Sequence, residues 1–102
     1  MELLTKEIRA KLPPLGSNDN KKAEEIPIIV KFFDPTGSWT WYALEYDQKD
    51  IFFGFVRGLF NELGTFSLKE LENVKGAFGL GIERDLFFGE KHMLSEAMEK
   101  QI

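Results

Sequence analysis

Between Lys31 and Asp47 the chain reads Lys-Phe-Phe-Asp-Pro-Thr-Gly-Ser-Trp-Thr-Trp-Tyr-Ala-Leu-Glu-Tyr-Asp, with both tryptophans and both tyrosines beside one turn. Asp34, Pro35 and Gly37 take the first, second and fourth places that a type I turn prefers, so two antiparallel strands meet there. Period two then assigns the rings. Trp39, Trp41 and Ala43 point one way; Tyr42, Leu44 and Tyr46 point the other. The next strand repeats the pattern, with Ile51, Phe53 and Phe55 against Phe52 and Val56. A sheet with one wet face alternates apolar with polar residues. This one does not. Both faces need cover, from helices of this chain or from a neighbouring molecule, and a homodimer is one such cover. Each large ring left in water forgoes ~1.5–3 kcal/mol of burial.

The flanking segments supply helices. Thr5 is placed to cap a first helix with Leu4, Ile8 and Leu12 on one side, and Pro13-Pro14 ends it. Gly16 to Glu25 is polar and predicts a mobile surface loop. Ile26–Phe33 is β-branched and aromatic, the composition of a strand. Strand two is expected over Ser38 to Tyr46, strand three over Ile51–Arg57, and a short fourth around Leu63–Phe66. Ser67-Leu68-Lys69-Glu70 has the form of a capping box, followed by Leu68, Leu71 and Val74 as a buried stripe and Gly76 as a stop. Ile82–Phe88 suggests a short strand. Met93, Leu94, Ala97 and Met98 mark a closing helix. Strands joined by short turns are antiparallel. The class is therefore α+β: an antiparallel meander of three to five strands, with N-terminal, middle and C-terminal helices, forming one domain over residues 1–102.

Composition bounds the chemistry. The 102 residues include ten Phe and no Cys, which removes disulfides, zinc–thiolate sites and thiol catalysis together. No apolar stretch approaches the ~20 residues of a membrane helix, and charges at Glu2, Lys6, Glu7 and Arg9 break any signal-peptide core, so a cytoplasmic location is expected. The net charge of −4 disfavours nucleic acid as a partner.

The motifs that suggest chemistry are each weaker than their plain alternative. Phe53-Gly54-Phe55-Val56 echoes the centre of the RNA-recognition signature, but Ile51, Phe52 and Gly58 stand where that signature needs other residues. Gly76, Gly79 and Gly81 reverse the dinucleotide spacing and follow a helix rather than a strand. His92 is the single histidine, so a transition-metal site would rest on carboxylates alone. Carboxylates remain: Glu45, Asp47 and Asp50 gather near one turn, and Glu83 and Asp85 flank Arg84. Paired carboxylates perform acid–base work or hold Mg²⁺ when burial separates their pKa values. Turn aspartates are more often bonded to their own backbone, and Glu83-Arg84-Asp85 suits an ion-pair network closing the fold.

Leu3-Leu4-Thr5, Leu12-Pro13-Pro14-Leu15, Lys31-Phe32-Phe33-x-Pro35-x-Gly37-x-Trp39-Thr40-Trp41-Tyr42, Phe52-Phe53-Gly54, Glu62-Leu63-Gly64-x-Phe66-Ser67-Leu68-x-Glu70-Leu71 and Ile82-Glu83-Arg84-Asp85-Leu86 together span nearly the whole chain. In these motifs the sequence resembles an uncharacterised bacterial family known only as a domain of unknown function. Thr65 and Gly81 depart from its pattern. The resemblance implies a small soluble protein, often carried on plasmids and other mobile elements and sometimes near antirestriction genes. It implies no catalytic residues.

Two functions are expected in order. The first is a non-enzymatic protein-interaction module of a mobile element, linked to evasion of host defence. Its surface would comprise Trp39, Trp41, Tyr42, Glu45, Asp47, Asp50, Glu83, Arg84 and Asp85, the acids standing in for DNA phosphates if the target handles nucleic acid. The second is a small carboxylate-based enzyme or ligand-binding protein. Neither calls for a cofactor or a metal.

Overall fold

The computed structural model describes residues 1–89 and 91–102, with Ala77 described by its backbone alone. Five strands form one antiparallel sheet in the order β4-β3-β2-β1-β5. They are β1 (Val30–Phe33), β2 (Thr40–Tyr46), β3 (Ile51–Arg57), β4 (Asn61–Ser67) and β5 (Glu83–Arg84). The helices are short: α1 (Lys6–Lys11), α2 (Leu68–Asn73) and α3 (Leu94–Glu99). The class is α+β, as the turn chemistry requires.

Both faces of the sheet are filled from within the chain. On one face Trp41, Ala43, Tyr46, Phe52, Val30 and Phe32 pack with Leu3, Leu4 and Leu12 around α1 and with Leu68 and Leu71 of α2. On the other, Tyr42, Leu44, Phe55 and Phe88 pack with Ile26, Ile28, and Leu94 and Ala97 of α3. The rings interlock by edge and offset contacts, with Tyr46 to Phe52 at 4.5 Å and Phe52 to Phe66 at 5.1 Å between centroids.

Tyr46 sits on the face opposite to that expected from strict alternation. Ala43 pairs with Gly54 but Glu45 pairs with Phe53, so Leu44 is an extra residue and the strand bulges there. One inserted residue reverses the facing of everything beyond it. Tyr46 therefore joins Trp41 and Ala43. Its hydroxyl has no hydrogen-bond partner among the described residues, and burial pushes its pKa upward.

Several boundaries also move. β1 begins at Val30, because Pro27 makes only an isolated bridge, to Met93. β5 covers two residues of the Ile82–Phe88 segment, whereas β4 is longer than its apolar centre suggests. α2 ends at Asn73, three residues before Gly76. Gly76 instead lies where a Cβ would come 2.6 Å from Thr36 Oγ1. Its absence of a side chain lets this loop reach the β1–β2 turn.

Helix starts follow the expected chemistry. Thr5 Oγ1 accepts the Ile8 N–H at 3.2 Å, and Ser67 Oγ accepts the Glu70 N–H at 3.2 Å. Among the described residues the return bond of the capping box, from the Ser67 N–H to the Glu70 carboxylate, does not form, and a longer-range partner, Asp50, binds this helix start. The Ser67 hydroxyl donates to Asp50 Oδ2, and Asp50 Oδ1 accepts the Lys69 N–H at 2.8 Å. These bonds hold the Asp50 carboxyl below the ordinary carboxylate pKa, the Ser67 hydroxyl contributing most. Asp47 is lowered likewise, by the N–H groups of Asp50, Ile51 and Lys49.

The sign of the pH dependence follows. A carboxylate with a depressed folded pKa stabilises the fold above its unfolded pKa, near 4, and that stabilisation is lost as pH falls through the folded value. Asp50→Asn is therefore expected to be less stable than the native protein at pH 7. The gap should close as pH drops below about 4. Urea midpoints measured across pH check this, and a gap independent of pH would contradict it.

Candidate functional site

Three of the carboxylates singled out in the sequence, Glu45, Asp47 and Asp50, accept hydrogen bonds from the protein's own backbone. Asp47 Oδ1 accepts N–H groups from Lys49, Asp50 and Ile51 at 2.8, 2.8 and 3.0 Å. Glu45 is buried, and its two oxygens accept the Gly16 and Asn18 N–H groups at 2.8 and 2.9 Å. That clasp fastens the start of the polar loop predicted to be mobile. Such carboxylates hold turns.

Of Glu83-Arg84-Asp85, Arg84 and Asp85 tie separate parts of the chain together, through partners outside the triplet and, among the described residues, with a single ion pair between them and the rest. Arg84 Nη1 donates to the Glu2 and Leu3 carbonyls, pinning the N-terminal segment to β5. Asp85 Oδ2 lies 3.2 Å from Lys31 Nζ, and Lys31 also donates to the Ile102 carbonyl at 2.6 Å. Asp47 and Asp50 sit at the β2–β3 turn, while Glu83–Asp85 lie on the far strand, at the opposite edge from β4. The structure does not gather these acids into one phosphate-like face.

The aromatic candidates divide. Tyr42 is buried, as is Trp41, so neither presents a surface; only Trp39, 39% exposed, does. Phe55, the centre of the RNA-like motif, is buried with its ring stacked on Tyr42 at 6.4 Å. Its face is already taken.

His92 is likewise engaged. Its Nδ1 is 3.1 Å from Glu96 Oε2, its ring lies 4.5 Å from that of Phe88, and its carbonyl accepts the Ile28 N–H. The His92 contact, with help from the Met93 N–H, lowers the Glu96 pKa. Among the described residues no group of three or more His, Asp or Glu is placed to hold a metal ion. No described helix is long and apolar enough to cross a membrane.

A cleft of about 420 Å³ runs along β1 between α1 and residues 84–89. Its lining combines apolar residues such as Ile8 and Val30 with Lys11, Lys31, Arg84 and Asp85. Lys31 Nζ is paired with Asp85 and donates to the Ile102 carbonyl, and Arg84 Nη1 donates to the Glu2 and Leu3 carbonyls.

A different region stands out by its apolar exposure. The β3–β4 hairpin turns through Gly58-Leu59-Phe60, where Leu59 is 85% and Phe60 79% exposed. Trp39 lies against the same hairpin: a Cβ on Gly58 would come 2.4 Å from its ring. Trp39 in turn leans on Trp41, with centroids 5.9 Å apart. The signal was available in the sequence. A tight turn normally carries Gly, Asn, Asp or Ser, and here Leu and Phe fill it.

Comparison with known proteins adds a family and no activity. No curated protein and no solved structure matches the chain. Residues 3–101, which include every element described above, match the model of a family described as a protein of unknown function, DUF2958, and the chain belongs to that family.

Proposed function

We propose that this protein is a non-enzymatic interaction module that docks on another protein through the sheet end carrying Trp39, Leu59 and Phe60. The observation that carries the proposal is that Leu59 and Phe60 are exposed together at one hairpin tip with the half-exposed Trp39 beside them, whereas the other strongly exposed rings, Phe78 and Phe87, lie in the loops that flank β5. Clustered exposed apolar side chains mark interaction sites in soluble proteins, and aromatic anchors dominate binding energy. The backbone bonds already made by Glu45, Asp47 and Asp50 argue against the carboxylate-enzyme alternative.

The partner has an apolar pocket with a basic rim. Glu62 is exposed next to the hairpin tip, and the chain carries a net charge of −4. The resemblance to mobile-element proteins makes a host-defence component the class of partner to screen first.

The test is a matched pair of baits, the native protein and a Leu59→Ser/Phe60→Ser variant. Both substitutions lie at exposed positions, so the fold should persist, as circular dichroism and urea midpoints would show. Binding to a partner captured by the native bait should weaken on the order of a hundredfold or more. A partner held equally well by both baits would overturn the assignment of this surface.

A further inference from the structure

Among the described residues, one long edge of the sheet carries no further strand. β4 pairs with β3 through seven consecutive residue pairs, without a bulge, and among the described residues no strand lies outside it. The opposite edge is β5, two residues long. Edge strands in soluble proteins are usually blunted by lysine, proline, a bulge or extreme shortness. Asn61–Ser67 contains no proline and no lysine, and Glu62 is its single charge.

The direction of its backbone groups follows from the hydrogen bonds that bracket the ladder. The Gly58 N–H donates to the Phe60 carbonyl at one end, and the Leu68 N–H to the Asp50 carbonyl at the other. Backbone groups alternate sides along a strand. Even-numbered residues of β4 therefore face β3, and Asn61, Leu63 and Thr65 turn their N–H and C=O groups outward. Among the described residues no other element donates to or accepts from these outward groups. Asn61, Leu63 and Thr65 are all exposed.

We infer that this edge pairs antiparallel with β4 of a second copy of the chain, about a two-fold axis at Leu63. The occupant is set by self-complementarity. An axis at Leu63 places Leu63 opposite its own copy, Asn61 opposite Thr65, and Glu62 opposite Gly64. Apolar meets apolar, polar meets polar, and the one carboxylate faces a residue without a side chain. A Cβ at Gly64 would meet nothing within 4 Å, so room remains for it. The three outward residues of each copy exchange about six hydrogen bonds and join two sheets into one. This pairing is independent of the hairpin-tip surface proposed for a foreign partner.

Sedimentation of the native protein across concentration is expected to show a monomer–dimer equilibrium. Hydrogen exchange should protect the Leu63 and Thr65 amides in the dimer and release them on dilution. Thr65→Pro removes an N–H that β3 does not use, and Leu63→Lys sets two like charges face to face. Each should weaken the dimer on the order of thirtyfold, while circular dichroism stays native. If Thr65→Pro fails to fold, Leu63→Lys and the exchange pattern of the native protein still decide. A native protein that stays monomeric at every concentration would overturn the inference. So would a dimer whose Leu63 and Thr65 amides exchange freely. The Leu59→Ser/Phe60→Ser variant should keep the amide protection, which separates failure here from failure at the tip.

Discussion

Gly54→Ala is expected to lower stability by about 3 kcal/mol or more, and in the worst case to prevent folding. The cause is a close approach of two backbones. A Cβ at position 54 would stand 2.0 Å from the Tyr42 carbonyl oxygen and 3.1 Å from Ala43 Cα. Neither is the flexible end of a side chain, so relief requires β2 and β3 to part. They cannot part cheaply, because the pair lies between the two buried clusters, with Tyr42 and Phe55 on one side and Trp41, Ala43 and Phe52 on the other. Gly54 also faces Ala43 at the start of the bulge, where β2 needs room to insert Leu44. Gly64→Ala is the control. It changes the same residue type on the neighbouring strand in open space. Its effect should lie within about 1 kcal/mol of zero, on the stabilising side, because alanine restricts the unfolded chain. Urea denaturation of the two variants measures the contrast. Equal midpoints would refute the backbone-contact explanation.

That glycine also shows where sequence patterns stop being informative. The turn at Asp34–Gly37 was legible, since each residue contributes local chemistry: Asp34 Oδ1 accepts the Thr36 N–H at 2.9 Å, and the Gly37 N–H donates to the Asp34 carbonyl. The caps at Thr5 and Ser67 were legible for the same reason. So was the need to cover both faces, because that follows from the count of rings and not from their exact placing. Tyr46 was misplaced because period two cannot detect an inserted residue, and only the pairing partner across the strand reveals it. Glu45 and Asp50 were assigned to a surface because carboxylates usually stay in water. Their actual partners, at Gly16, Asn18 and Ser67, lie far along the chain, and no local pattern announces them. The hairpin tip is a different case: Leu59 and Phe60 fall between the two expected strands, where apolar residues are a signal in themselves, but how far they stand out of the fold depends on the β3–β4 register.

Glu45→Ala is expected to cost about 3 kcal/mol and to loosen the segment after α1 before the sheet itself unfolds. β1 begins at Val30, opposite Ala43, so the side of β2 beyond Ala43 has no neighbouring strand. The chain leaving α1 fills that gap. The Tyr46 N–H donates to the Pro13 carbonyl at 2.9 Å, and Glu45 reaches across to the Gly16 and Asn18 N–H groups. Gly16 takes a φ of +90°, the left-handed region, which lets the chain curl round the carboxylate. Truncating Glu45 strands two N–H groups in a place where Asn18 is itself buried. Unsatisfied buried groups cost roughly 1–3 kcal/mol each, partly recovered if the loop peels away to water. Glu45→Gln distinguishes hydrogen bonding from packing. It preserves the shape but turns one acceptor into an NH₂ group facing an N–H donor, so it should lose most of the same stability. Hydrogen exchange should show the Gly16, Asn18 and Tyr46 amides opening first in both variants, with Phe52 and Phe55 still protected. A glutamine variant as stable as the native protein would mean that the pocket around residue 45, and not its charge, holds the loop.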